Sequence, residues 1–314
     1  MAYYPIGTPS TPWGAPERTA WVNSTSPQRS YVSNVVGPLT NLSSSTWQVH
    51  SYGSLSHDPT SYPLHYLTST SWDPSKPNVL IMGGTHGYET SGVHGALHFA
   101  QNTAAQFTPH FNLCLIPCVS PWAYERIQRW NRDALDPNRH YFKESPVEEC
   151  KLVWELLRGL ESSGKVVGGW LCCMDLHETT DTDESEFHPA KAARDGLPAV
   201  PDEGSIPDGF YLIGDVDEPQ SDWHAAMISE VEKITHIADD DNGCLVGMKI
   251  TQRGVVVSKA AGKGKGVVGA GPKCKYKTTT EVYPDSKSRV VSGETCNLAQ
   301  AACVEAGLKF IVEK

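Results

Sequence analysis

The sequence predicts an α/β fold, a mixed, mostly parallel twisted sheet flanked by helices. Three observations predict it. From residue 78 onward, short apolar runs alternate with longer segments whose small and apolar residues recur at helical spacing. The run Asn78-Val79-Leu80-Ile81-Met82 exits directly into Gly83-Gly84-Thr85-His86-Gly87-Tyr88-Glu89-Thr90, a turn at the carboxyl end of a buried strand. The chain has 314 residues, 39% hydrophobic and 20% charged, enough to bury one large core or two smaller ones. Strands that alternate with helices cover both faces of a sheet and favour parallel pairing.

The elements follow in order. Residues 1–74 are rich in Ser, Thr, Pro, Tyr and Trp and lack long apolar periods. They read as irregular structure, short strands and turns packed against a main domain over 75–314. Residues 79–82 form a strand, 90–107 a helix and 111–119 a second strand. Ser145-Pro146 opens a helix over 147–160, where Val, Leu, Trp and Leu share a face. A long apolar strand follows at 166–176 and a shorter one at 210–213. Ser221-Asp222 offers an N-cap to a helix over 221–234. Strands at 255–257 and 276–282 and a helix at 295–306 complete the series. Two segments interrupt it and read as surface loops. One is the acidic, Pro- and Gly-rich 181–208; the other is 254–271, with its Gly-Lys run Lys259 to Gly266. No internal repeat is present.

Charge and cysteine content exclude several classes. The net charge is −10, with 36 acidic against 26 basic residues, which argues against a general nucleic-acid or anionic-membrane binder. No apolar run approaches the roughly 20 residues that span a bilayer. Met1-Ala2-Tyr3-Tyr4-Pro5 lacks a basic n-region and an apolar h-region, so the expected location is cytoplasmic. Asn-x-Ser/Thr matches at Asn23 and Asn41 are then chance. The nine cysteines lack Cys-x-x-Cys spacing and read as reduced thiols acting as small hydrophobes.

The chemistry concentrates at strand ends. His86 and Glu89 lie three residues apart in the glycine turn, and their imidazole and carboxylate are good ligands for a borderline metal. A lone His-x-x-Glu is a common accident. His177, in Met174-Asp175-Leu176-His177-Glu178-Thr179, ends a second apolar strand. Parallel strands end on one side of a sheet, so His86, Glu89 and His177 can converge. Two His and one Glu with an open fourth position is a catalytic zinc arrangement. Asp175 is expected on the opposite face in a structural role, and Glu178 as a possible outer partner of a ligand. Between the ligands lies an arginine-rich stretch, Arg126 to Tyr141, whose guanidinium forks suit carboxylates and carbonyls. Thr278-Thr279-Thr280-Glu281-Val282 favours an extended strand that would hold Glu281 rigidly, where it can serve as a general base. His94 and His98 share a helix face but lack the intervening Glu of a zinc-binding helix, and read as structural. The cluster Asp181, Asp183, Glu184 and Glu186 reads as a solvated loop, with attraction of a cationic substrate as the alternative.

The order of these motifs over residues 78–284 resembles the zinc metallocarboxypeptidase family, including its cytosolic members. The resemblance implies the phosphorylase/hydrolase-like zinc carboxypeptidase architecture and one Zn2+ per chain, held by His86, Glu89 and His177. It implies Glu281 as the catalytic base and Asn138 and Arg139 as the binders of a substrate's terminal carboxylate. Arg129 would polarise the scissile carbonyl, with Arg132 as the other candidate. The implied substrate is a peptide or small amide with a free carboxylate, hydrolysed at its C-terminal amide bond by zinc-activated water. The family's substrate-binding tyrosine has no counterpart in Val255-Val256-Val257-Ser258-Lys259-Ala260, and Tyr276 lies much closer to Glu281. Deacylases resembling aspartoacylase and succinylglutamate desuccinylase share the metal triad and often lack that tyrosine. Hydrolysis of an N-acyl amino acid is therefore the second reading, and a catalytically silent metal-binding protein the third. Oligomeric state and natural substrate are not set by the sequence.

Overall fold

The computed structural model describes residues 4–42, 44–198, 206–258 and 273–314. Helices α1 (Ala15–Ser24) and α2 (Gly37–Thr40) precede strands β1 (Trp47–Ser54) and β2 (Pro63–Ser69). Then come β3 (Asn78–Gly83), α3 (Thr90–Asn102), β4 (Asn112–Ile116), α4 (Pro121–Arg126), α5 (Glu148–Ser162) and β5 (Trp170–Glu178). The chain continues through α6 (His188–Arg194), β6 (Tyr211–Asp215), α7 (Ser221–Val231), β7 (Cys244–Leu245) and β8 (Met248–Gln252). It closes with β9 (Val255–Ser258), β10 (Tyr276–Val282) and α8 (Gly293–Val312). Among the described residues no helix is long and apolar enough to cross a membrane.

One mixed sheet organises these elements, in the order β1-β2-β4-β3-β5-β10-β6-β9-β8-β7. Its centre, β4-β3-β5-β10, is parallel, and antiparallel pairings of β2 with β4 and β6 with β10 flank it. The centre is apolar on both faces because helices cover both. Every residue of β3 is buried. Val79 and Ile81 face one layer with Val93, Phe99, Ala299 and Cys303 of α3 and α8. Leu80 and Met82 face the other, against Cys150, Val153, Leu157 and Leu160 of α5. Each such aliphatic side chain contributes about 1.5–3 kcal/mol on burial. All nine cysteines are free, and eight of them are buried in these layers.

Strand order places the site. The chain leaves β3 toward β4 on one side and later returns as β5 on the other. The crevice at the carboxyl ends of β3 and β5 is therefore a topological switch point, where open α/β sheets bind ligands.

Three expectations change. Ala15–Ser24, within the segment read as irregular structure, short strands and turns, forms the helix α1. The helix expected over 90–107 stops at Asn102, because Thr103 leaves helical backbone angles (φ −129°) and a tighter turn, Ala104–Gln106, follows. The segment 181–208 is not simply a loop. Asp183–Phe187 is helical and runs into α6, with a proline in the first turn of α6 and Ala190 and Ala193 buried. Seven residues are too few for a periodic signal to stand out. The Gly-Lys run from Lys259 to Gly266 lies outside the described residues.

Candidate metal centre

The turn after β3 needs Gly84, whose φ is +64° and whose added Cβ would fall 2.7 Å from Val93 Cγ2. It delivers His86 from the turn and Glu89 from the N-cap of α3. His177 arrives from the end of β5, one residue beyond the pairing of Gly83 with Leu176. The three side chains are buried, and one ligand atom from each lies within 4.8 Å of the others. Glu89 sits between the imidazoles: Oε1 is 2.5 Å from His86 Nδ1 and Oε2 is 2.8 Å from His177 Nδ1. Burial would raise the Glu89 carboxyl, but His177 and His86 outweigh it and hold it at about 2.

A further carboxylate stands beside each imidazole. His86 Nε2 lies 2.9 Å from Asp136 Oδ1, and His177 Nε2 lies 3.2 Å from Asp175 Oδ2. Asp175 was expected on the opposite face from His177. It shares the same face, because residues two apart on a strand point the same way. Glu178, one residue on, does point the other way, and its Oε2 accepts from the Ser91 N–H at the start of α3. Gln300 of α8 donates to His177 O at 2.7 Å and accepts from Thr280 Oγ1, tying the ends of β5 and β10 together.

Glu281 lies in register with His177 on β5 and with Tyr211 on β6. Its Oε2 accepts from Thr179 Oγ1 at 3.0 Å, and that hydroxyl is 2.9 Å from Tyr211 Oη. With the Thr179 proton committed to Glu281, Tyr211 donates in turn. Burial pushes the Glu281 carboxyl up to about 7; His177 opposes this and the Glu89 charge adds to it.

The arginines divide. Arg129 lies behind Asp136, with Nε 3.4 Å from Asp136 Oδ2. Its Nη1 donates to Tyr88 Oη at 2.8 Å and to Asp183 Oδ1 at 3.2 Å, and its guanidinium stacks 4.4 Å from the Phe187 ring. Asp183, expected in a solvated cluster, is thus drawn into the site by Arg129 and by the Tyr88 hydroxyl at 2.8 Å. Asn138 is half-buried, with its backbone N–H on Asp136 Oδ1 and its side-chain Oδ1 without a hydrogen-bond partner. Arg139 is exposed, and its Nη1 donates to Asn138 O. Arg132 is exposed and outside this network, its charge felt by His57. His94 stays structural, with Nε2 2.8 Å from Tyr124 Oη.

Sequence reasoning did not single out Asp136, Tyr88, Thr179, Tyr211 or Gln300 for the site. The Asp136-Pro137-Asn138-Arg139 spacing carried the only available signal for Asp136.

The donor set suits zinc. Glu89 Oε2 is buried without a hydrogen-bond partner, 2.8 Å from His177 Nδ1. Two imidazoles and a carboxylate converging on one point, each imidazole backed by a carboxylate, match a three-ligand zinc site and its outer shell.

No protein-family model matches the sequence, and no curated protein matches it. Solved structures do. A protein of Shewanella amazonensis SB2B, provisionally named a metallopeptidase, superposes with a TM-score of 0.63 at 19% identity, over 84% of this chain and 86% of that one. A metallo-carboxypeptidase from Burkholderia cenocepacia superposes with a TM-score of 0.57 at 15% identity, over 96% of this chain and 70% of that one. One from Pseudomonas aeruginosa, in complex with (2-guanidinoethylmercapto)succinic acid, gives 0.55 at 13% identity over 96% and 70%. At these identities the likeness is one of fold: the chain has the metallo-carboxypeptidase fold.

Proposed function

We propose that this chain is a zinc-dependent carboxypeptidase that hydrolyses the C-terminal amide bond of a peptide or small peptide-like conjugate. The observation that carries the reading is the convergence of His86, Glu89 and His177 beside Glu281, which leaves the sheet next to His177. Zinc held by the three ligands would supply Lewis acidity toward a carbonyl and toward the attacking water. Glu281 accepts the proton of the attacking water and returns it to the leaving amine. Thr179, bonded to Glu281 Oε2, fixes the carboxylate for both transfers. Arg139, exposed and with donors beyond its bond to Asn138 O, binds the substrate carboxylate together with the Asn138 side-chain NH2. Arg129 stabilises charge developing on the carbonyl oxygen, for which its Nη1 exchanges Asp183 for substrate. Arg132 lies too far outside this network to be preferred.

Hydrolysis of an N-acyl amino acid is the second reading. It is favoured by one observation: β9, Val255–Ser258, carries no tyrosine that could close over a peptide.

The test compares zinc-loaded and chelator-treated protein on free peptides, C-terminally amidated peptides and N-acyl amino acids. Cleavage of free but not amidated peptides, lost on chelation and restored by zinc, is the expected result. Indifference to amidation ends the exopeptidase reading. Turnover of N-acyl amino acids alone selects the second reading, and zinc binding without any turnover leaves a silent metal-binding protein.

A further inference from the structure

The turn that carries His86 and Glu89 is gripped from outside by a residue of the N-terminal segment. Arg29 Nη2 donates to Gly87 O, Nη1 to Thr90 Oγ1 and Nε to Tyr124 O, each at 2.7 Å. Gly87 lies between the two ligands and Thr90 directly follows Glu89. The guanidinium therefore spans the ligand-bearing turn from its middle to its end. Its carbon lies 3.6 Å over the Tyr124 ring, so its plane is fixed as well.

The turn is also closed by backbone. A Cβ at Gly87 would fall 2.0 Å from Ala123 C and 2.1 Å from Tyr124 N, so the turn rests directly on α4. Tyr88 N donates to Gln128 O at 3.1 Å. Thr90 Oγ1, accepting from Arg29, donates to Tyr88 O at 3.2 Å. Arg29 itself is anchored by its neighbours: Gln28 N donates to Glu125 O at 2.7 Å and Tyr31 N to Glu125 Oε1 at 2.9 Å.

We infer that Arg29 is the positioning residue of the metal centre, holding His86 and Glu89 at ligand spacing before a metal binds. The inference rests on the metal-centre reading above. A planar fork with several donors can meet three acceptors around one plane; an ammonium at the end of a flexible stem cannot. Without the fork the turn loses the group that fixes Gly87 O and Thr90, and metal binding must then order the turn. The N-terminal segment thereby becomes part of the site without touching the metal.

The test uses the full chain and reads metal binding rather than turnover. Zinc affinity is measured by competition with a chromophoric chelator, and ligand geometry by the visible spectrum of the Co2+-loaded protein. Folding of each variant is checked by circular dichroism. Arg29→Lys is expected to weaken zinc about 10–100-fold, the range of outer-shell substitutions at metal sites, and to shift the cobalt bands. Thr90→Val removes one acceptor with Arg29 in place, and is expected to give a smaller loss in the same direction should Arg29→Lys not fold. Tyr31→Phe removes the bond to Pro63 O in the same segment and should leave zinc affinity and spectrum unchanged. A folded Arg29→Lys, or failing that Thr90→Val, with wild-type affinity and cobalt spectrum overturns the inference, as does an equal loss in Tyr31→Phe. Wild-type protein that binds neither zinc nor cobalt overturns the metal-centre reading, and this inference with it.

Discussion

Glu281 and His177 sit directly opposite one another on neighbouring parallel strands, the last residues but one of β10 and β5. In-register parallel neighbours project to the same face, so the carboxylate and the imidazole leave the sheet side by side. The pairing is held from the other face, where Gln300 bonds His177 O and Thr280 Oγ1. A rigid sheet thus sets the distance between a metal ligand and an acid–base group, which suits a proton transfer sensitive to small displacements.

Glu281→Gln keeps the shape of the side chain and removes its capacity to accept a proton. Turnover is expected to fall by about 10²–10⁴, the range of general acid–base contributions, with zinc stoichiometry intact. Full turnover at saturating zinc would remove Glu281 from the role of base.

Asp136→Asn replaces the carboxylate that meets His86 Nε2 at 2.9 Å and Arg129 Nε at 3.4 Å. An amide can meet the imidazole but cannot neutralise Arg129 or raise the basicity of the ligand. Zinc affinity is expected to drop about 10–100-fold by chelator competition. Unchanged affinity would mean that the imidazole is oriented by the turn alone.

Gln300→Leu fills the same space but strands two buried polar groups, His177 O and the Thr280 hydroxyl. The cost is about 2–6 kcal/mol of unfolding free energy, from roughly 1–3 for each orphaned group. Urea unfolding measures it; a change within about 0.5 kcal/mol, the scale of ordinary surface substitutions, contradicts the bracing role.

Glu149, buried at the start of α5 and away from the ligands, gives a pH signature. Burial pushes its carboxyl from an ordinary 4.5 up to about 7, against the opposing bonds from backbone and Asn131. The folded value is the raised one, so the unfolded chain loses its proton first as pH rises. The stability contributed is complete below about 4.5, declines through the window up to 7 and is gone above it. Glu149→Gln removes the decline. Relative to its value at low pH, the stability of the variant should gain about 3 kcal/mol on wild type by pH 8. Parallel stability–pH curves for the two proteins would place the charge change elsewhere.

The sequence by itself determined the strands that lead to His86 and His177, the alternation that makes the sheet centre parallel, and the candidate ligands. These are local signals: apolar runs of strand length, glycines at a turn, and ligand types at strand exits, where a parallel sheet brings them together. Only the tertiary structure decided what surrounds them. Asp136 reaches His86 across fifty residues of sequence, and Arg29 reaches Gly87 from a segment that reads as irregular. Asp183 leaves an acidic run for Arg129, and Thr179, just past the end of β5, meets Glu281. A strand's two-residue period could have placed Asp175 beside His177, but its approach to the imidazole at 3.2 Å is a matter of side-chain packing. Ligand identity is written in residue type and spacing; orientation and charge balance come from contacts between segments far apart in the chain. Such contacts leave no periodic trace in a single sequence.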